Sequence, residues 1–319
     1  MIINFGVSYK QFLKSFSLLK KGVVMKKLSL ILPVLLIAVL VVAACQPAAP
    51  ELGTEENPIK WVFVPSGEME SVAAGADAVA DMIFAETGLV VDTFVATDYT
   101  AAIEAECSGQ ADMGSLATFA AITAADRDCA YPALVATRYG SPTYTGQIIA
   151  HVDSGITSVA DLAGKVFCAT DETSTSGWII PSIMMRAAGV DPDTDVEVIF
   201  AGSHDAAVLG VYNGDCDAGA SFVDARTSVE DEFPDVMDKV LQVEISVEIP
   251  NDGVQFAKDF PAEIQTKLVD ALIKIIGTEE GKAAMDAAYE WDGLEKHDNT
   301  FYDAFRQLLD AAGITAEDL

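Results

Sequence analysis

The chain of 319 residues carries 49 acidic side chains against 19 lysines and arginines, a formal net charge of −30, and 51% of it is hydrophobic. A polyanion of that strength repels phosphate backbones, which excludes nucleic acid as a partner, while the apolar share is enough for a folded core. The first 44 residues hold six lysines and no acid, so the remainder is more acidic still. Such a surface is mostly a solvated one, and it poses a problem for any anionic ligand.

Lys26 and Lys27 precede a long apolar run over 28–44 that stops at Cys45, the pattern of a secretory signal peptide. Met25, followed by those lysines, reads as a better start than Met1, which makes residues 1–24 an upstream start-site artefact or an unusually long n-region. The end of the run, Val42-Ala43-Ala44-Cys45, resembles a bacterial lipobox, so Cys45 is the expected site of lipid attachment and of contact with the membrane. A spanning helix is the alternative, because about 17 apolar residues approach the lower limit for one. Residues 45–58 are rich in proline, small and acidic residues and read as a flexible tether. The remaining 59–319 are too long for one ordinary domain and suit two lobes.

From there the chain alternates apolar, strand-like runs with amphipathic helices. Strands are expected over 59–65, 89–95, 112–116 and 132–139, with helices over 69–87, 99–108 and 118–125 between them. A second unit begins near Gln147, with strands over 165–169, 196–200 and 217–222 and helices over 158–162, 177–188 and 204–213. Extended stretches at 243–250 and 252–256 lead to amphipathic helices from about 262 to the end, which return to the first lobe. This is an α/β pattern with mainly parallel sheets, divided as lobe 1 over 59–145 and 247–319 and lobe 2 over 146–246. Two crossovers then place a ligand cleft at a hinge.

Four cysteines remain after Cys45, an even number that suggests disulfides in an exported protein. Sequence allows three pairings. Two cysteines fall in each lobe, so Cys107–Cys129 and Cys168–Cys216 are the expected pairs. No CxxC or Cys/His cluster marks a metal site, and no motif calls for a cofactor.

The most informative stretch, Cys168 to Trp178, runs from a strand end through Ser174-Thr175-Ser176-Gly177 into a helix. Free backbone N–H groups and the positive end of the helix dipole point outward at such a start, and the hydroxyls add neutral donors for a tetrahedral oxyanion. The plainer reading is that Ser174 or Ser176 is only an N-cap.

Around it, Thr97-Asp98-Tyr99, Asp112 before Ser115, Tyr144, Asp153-Ser154-Gly155-Ile156 and Asp161-Leu162-Ala163-Gly164-Lys165 occur in order. Gly202-Ser203-His204-Asp205, Asp217-Ala218-Gly219-Ala220 and Ile249-Pro250-Asn251-Asp252 follow the serine-threonine run. The ordered set resembles the phosphonate-, phosphite- and phosphate-binding proteins of ABC importers over most of the chain from residue 59. The resemblance implies a two-lobed type II periplasmic-binding-protein fold with a hinge and an interlobe ligand cleft. It assigns Ser174, Thr175, Ser176 and Gly177 to the oxyanion, Tyr99 and Tyr144 to the first lobe's share of the site, and His204, Asp224 and Asp252 to its completion. Asp224 departs from the family, where a glutamate often stands. Each residue also has a plain reading: the tyrosines as core or hinge aromatics, His204 as a helix-start polar residue, the acids as surface carboxylates. His151 and His297 are read as structural.

Two carboxylates beside an anion repel it. The reading that reconciles them is that they accept a hydrogen bond from a protonated ligand oxygen, or pair with the amino group of an aminophosphonate, and so discriminate against sulfate. The expected function is capture of a phosphonate, phosphite or phosphate outside the cytoplasm, by a lipid-anchored monomer serving an ABC permease. The alternatives are the same fold binding another small anion such as a sulfonate, or a sensory binding protein. No GxSxG, HExxH, Walker loop or GxGxxG occurs and there are three histidines, so an enzyme has little support.

Overall fold

The computed structural model describes residues 50–315; the expected signal peptide, Cys45, the rest of the polar segment before Pro50 and the last four residues lie outside the described residues. Glu51–Leu319 forms one compact unit. Its strands in chain order are β1 (Ile59–Phe63), β2 (Val91–Val95), β3 (Met113–Ser115), β4 (Ala130–Thr137), β5 (Thr143–His151), β6 (Val166–Ala169), β7 (Glu197–Phe200), β8 (Ala218–Phe222), β9 (Val240–Pro250), β10 (Gly253–Ala257) and β11 (Gly293–Lys296). The helices are α1 (Met69–Thr87), α2 (Tyr99–Cys107), α3 (Thr118–Asp126), α4 (Ile180–Ala187), α5 (His204–Asn213), α6 (Val236–Lys239), α7 (Ala262–Ile276), α8 (Glu279–Tyr289) and α9 (Asp303–Ala311).

Two sheets result, ordered β11-β4-β10-β3-β1-β2 and β7-β6-β8-β5-β9. The chain passes from the first to the second between Thr137 and Thr143 and returns between Pro250 and Gly253. The sheets are mixed rather than mainly parallel. β1 runs parallel to β2 and β3, and β6 to β7 and β8, but β10 is antiparallel to β3 and β4, and β5 to β8 and β9. The antiparallel strands are those that enter directly from the other lobe, with no crossover helix to carry the chain back to the starting end of the sheet, as a parallel neighbour requires.

Local chemistry sets the element ends that matter for the cleft. Asp98 accepts from Ala101 N and opens α2 at Tyr99; Ser203 accepts from Ala206 N and opens α5 at His204. Along β5, Ile148 packs with Phe167 and Met185 on one face and Ile149 with Val208 and Val211 on the other, so the second sheet is covered on both sides. Disulfides join Cys107 to Cys129 and Cys168 to Cys216, each within one sheet's half of the molecule.

Two stretches differ from the sequence reading. Within the expected tether, Leu52 packs against the first core, and Gly53 donates to Asn57 O and accepts from Val90 N, so the segment just before β1 is docked rather than free. At the other end the helical run is interrupted by β11, and α9 does not return to the first half alone. Its Phe305 and Leu309 share a cluster with Phe119 and Val135 on one side and Ile179, Ile180 and Ile249 on the other. The amphipathic pattern was real; it served both halves.

One acid lies inside the first core. Glu106 of α2 is 3% exposed; Gln255 Nε2 donates to its Oε2, and Oε1 has no hydrogen-bond partner among the described residues. A Cβ at residue 114 would collide with this carboxyl, which accounts for Gly114 in β3. Burial pushes the Glu106 carboxyl up to about 8, against a lowering by Gln255. The folded carboxyl thus keeps its proton where the unfolded one has lost it, and this stability is complete below the unfolded pKa of 4.5 and lost as pH rises through about 8. Urea unfolding should show Glu106→Gln gaining on the wild type as pH rises through that window, by up to about 1.4 kcal/mol per pH unit. Parallel pH curves for the two proteins would contradict this.

Candidate functional site

Between the two halves lies a cavity of about 330 Å³ whose wall includes Tyr99, Tyr144, Ser174, Thr175, Ser176, His204 and Asp252. Seven of the nine expected ligand residues are therefore brought together. Gly177 and Asp224 are not on that wall.

The oxyanion end is built by the turn after β6. Asp171 folds the loop, its Oδ1 accepting from Thr173 N and Oγ1 while its Oδ2 accepts from Tyr99 N at 3.3 Å. Ser174 then caps a wide π-type turn, Thr175–Ile179, that continues into α4. In a first turn the N–H groups of Thr175 and Ser176 have no carbonyl behind them. Ser174 Oγ accepts from Gly177 N at 3.2 Å, and Thr175 Oγ1 accepts from Phe119 N at 2.8 Å. A hydroxyl that accepts from the backbone still has its own proton to give, so both can donate to an anion. Gly177 serves the turn from behind: a Cβ there would collide with Thr170 Oγ1 and lie 2.8 Å from Ser174 Oγ.

Tyr99 is 1% exposed and its hydroxyl has no hydrogen-bond partner among the described residues. Burial, then the charge of Asp171, holds its phenol well above the ordinary range, so it stays a donor. Tyr144 of β5 is pushed up to about 12 by burial and by Asp252. His204 is buried, its Nδ1 3.2 Å from Thr170 Oγ1 and its ring edge-on to Phe222, while its backbone N–H donates across the cleft to Ser66 O at 3.0 Å. Burial, aided by Arg138, lowers its pKa to about 3, so the imidazole is neutral.

Asp224, off the cavity wall, is held by its own neighbours. Arg226, two residues on, grips both carboxylate oxygens at 2.8 and 2.5 Å, Gln147 Nε2 adds 3.0 Å, and the side chain caps a short 3₁₀ turn. Burial opposes ionisation, yet the hydrogen bonds from Arg226 and Gln147 hold the carboxyl below its ordinary value. Asp252 is on the wall, but it is paired too: its Oδ1 accepts from Arg138 Nη1 at 2.6 Å.

Arg138 is the residue that the sequence reading missed. Among the described residues it is the single arginine or lysine on the cavity wall, which also carries Glu68, Asp205, Asp286 and Glu290. Nη1 also donates to Asn251 Oδ1 at 2.7 Å, Nε to Tyr289 O at 3.2 Å, and the guanidinium lies 5.5 Å from the Tyr144 ring centroid. The hint in the sequence is a lone cation two residues before Gly140-Ser141-Pro142.

Mixed sheets in two halves, joined by two short crossovers and closed over an interlobe cavity, define the two-lobed fold of type II periplasmic binding proteins. Residues 61–302 match the family described as ABC transporter, phosphonate, periplasmic substrate-binding protein, and the chain belongs to that family of binding proteins. It is 30% identical over 175 residues, 51% of this chain and 54% of the relative, to the phosphate-import protein PhnD of Mycolicibacterium smegmatis. The chain spans little more than half the length of the curated relatives it matches. Two solved structures share the fold. One is a binding protein component of an ABC phosphonate transporter from Pseudomonas aeruginosa (TM-score 0.74, 23% identity, 80% of this chain and 87% of that one). The other is PhnD1 from Prochlorococcus marinus in complex with methylphosphonate (TM-score 0.72, 17% identity, 81% and 98%).

The neutral His204 gives the closed cleft a pH signature. Its folded pKa of about 3 lies below the ordinary 6.5, so the stability it carries is complete above 6.5 and is lost as pH falls toward 3. Relative to His204→Gln, the wild type should lose up to about 1.4 kcal/mol of unfolding free energy per pH unit in that window. A constant difference would show that the imidazole is not buried neutral.

Proposed function

We propose that this chain captures a small phosphorus oxyanion, a phosphonate, phosphite or phosphate, outside the cytoplasm and presents it to the permease of an ABC importer. It acts as a monomer, since one chain supplies both walls of the cleft, and it is held at the membrane by a lipid on Cys45. The observation that carries this reading is the convergence on one cavity of the Ser174–Ser176 helix start, the tyrosines Tyr99 and Tyr144, and neutral His204. Those groups offer hydroxyl, phenol, imidazole and backbone donors to a tetrahedral anion from several sides, as phosphate-binding helix starts do. The phosphate and methylphosphonate named for the relatives are chemistry that such a donor set suits.

Calorimetry with methylphosphonate, 2-aminoethylphosphonate, phosphite, phosphate and sulfate tests it. At least one phosphorus species should bind and sulfate should not. Ser176→Ala should weaken the bound species about tenfold, the worth of one hydrogen bond to a charged group. Binding of none of the phosphorus species would overturn the proposal and leave Ser174 as a helix cap.

A further inference from the structure

Helix α9 and the short 3₁₀ turn before it, Asn299–Tyr302, stand apart from the ligand: no residue of either is among the described residues of the cavity wall. Their polar ties run to the first half and to the return crossover. Arg306 Nε donates to Asp126 Oδ1, at the end of α3, at 3.0 Å, and Tyr302 Oη donates to Asn251 O at 2.9 Å. Arg306 also secures the turn, its Nη1 donating to Asn299 O and its Nη2 to Asn299 Oδ1.

The contact of α9 with the second half is apolar. Tyr302, Phe305 and Leu309 are 1%, 4% and 2% exposed, and they share one buried cluster with Phe119, Ile122 and Val135 of the first half and Ile179, Ile180 and Ile249 of the second. Ile179 ends the wide turn Thr175–Ile179, and Ile180 begins α4. Thr175 and Ser176 of that turn are on the cavity wall, whereas Ile179 is turned into the cluster. One end of the turn thus faces the ligand site and the other rests on α9.

Resting on the phosphorus-oxyanion reading above, we infer that α9 is a strap, fastened to the first half, that holds the Ser174–Ser176 turn of the second half in its ligand-binding place, with Phe305 and Leu309 as positioning residues. The chain joins the halves at the two crossovers, and rotation about them draws Ile179 and Ile180 off Phe119, Phe305 and Leu309 and wets the cluster. Burial of the cluster therefore belongs to the closed arrangement. A ligand gripped from both halves binds that arrangement, and its apparent affinity scales with the closed fraction. Trimming the strap lowers that fraction without altering any group on the cavity wall.

The test joins small-angle scattering of the ligand-free full chain to calorimetry with methylphosphonate. Phe305→Ala and Leu309→Ala should each bind about tenfold more weakly than the wild type. Their ligand-free radius of gyration should exceed that of the wild type, and saturating methylphosphonate should bring it to the wild-type liganded value. Phe305→Leu, which refills much of the volume, should restore both quantities. If the alanine variants do not fold, Arg306→Gln, which unfastens α9 from Asp126 and leaves the cluster intact, should move both in the same direction. A folded strap variant that keeps the wild-type affinity overturns the inference. So does one that binds weakly at the wild-type ligand-free radius, because that marks local damage to the turn and no release of a strap. A wild type that binds no phosphorus species overturns the functional proposal instead, and the ligand-free radius still decides the strap.

Discussion

A buried tie joins the two crossovers of the structure. Arg138 follows β4 where the chain leaves the first sheet, and Asn251 and Asp252 stand where it comes back; the guanidinium holds both. Asn251 strengthens the seam, with its N–H donating to Pro142 O and its amide to Ser141 O, while Tyr302 donates to Asn251 O. Removing either partner of a buried pair leaves a charge uncompensated, which costs far more than a surface pair is worth. The α9 cluster of Phe305 and Leu309 joins the same two halves. The closed arrangement is visible in bonds that cross the cleft, such as Phe119 N to Thr175 Oγ1 and His204 N to Ser66 O.

The same tie resolves the conflict between an acidic protein and an anionic ligand. With 49 acids against 19 lysines and arginines, long-range attraction is not available. The cavity wall instead presents groups that cost no net charge: two serines and a threonine at a helix start, two phenols, and an imidazole kept neutral by burial. Its arginine is balanced by an aspartate. On the proposed function, such a site would select an oxyanion by its geometry more than by its charge.

Much of this was legible in the residues. The strand-loop-helix signature around Ser174–Gly177 announced a helix start with free donors, and the Thr97-Asp98-Tyr99 and Gly202-Ser203-His204 motifs singled out Tyr99 and His204. What was not legible depends on tertiary neighbours. Asp224 looked like a site acid, and nothing in its own spacing disclosed that Arg226 would claim both of its oxygens. Asp252 gave no sign of Arg138, which lies 114 positions away. The strand direction of β5 and β10 follows from lobe crossing, which alternation of strands and helices does not encode. The α9 stripe could be read as amphipathic, but not as facing two halves at once.

The most direct test of the central claim is a crystal structure of the protein with methylphosphonate. The phosphorus should lie in the cleft, its oxygens within hydrogen-bond distance of the Ser174 and Ser176 hydroxyls and the Thr175 and Ser176 N–H groups. Density for the ligand elsewhere in the cleft, with Ser174–Ser176 making only their own turn contacts, would contradict it and reduce the helix start to a cap.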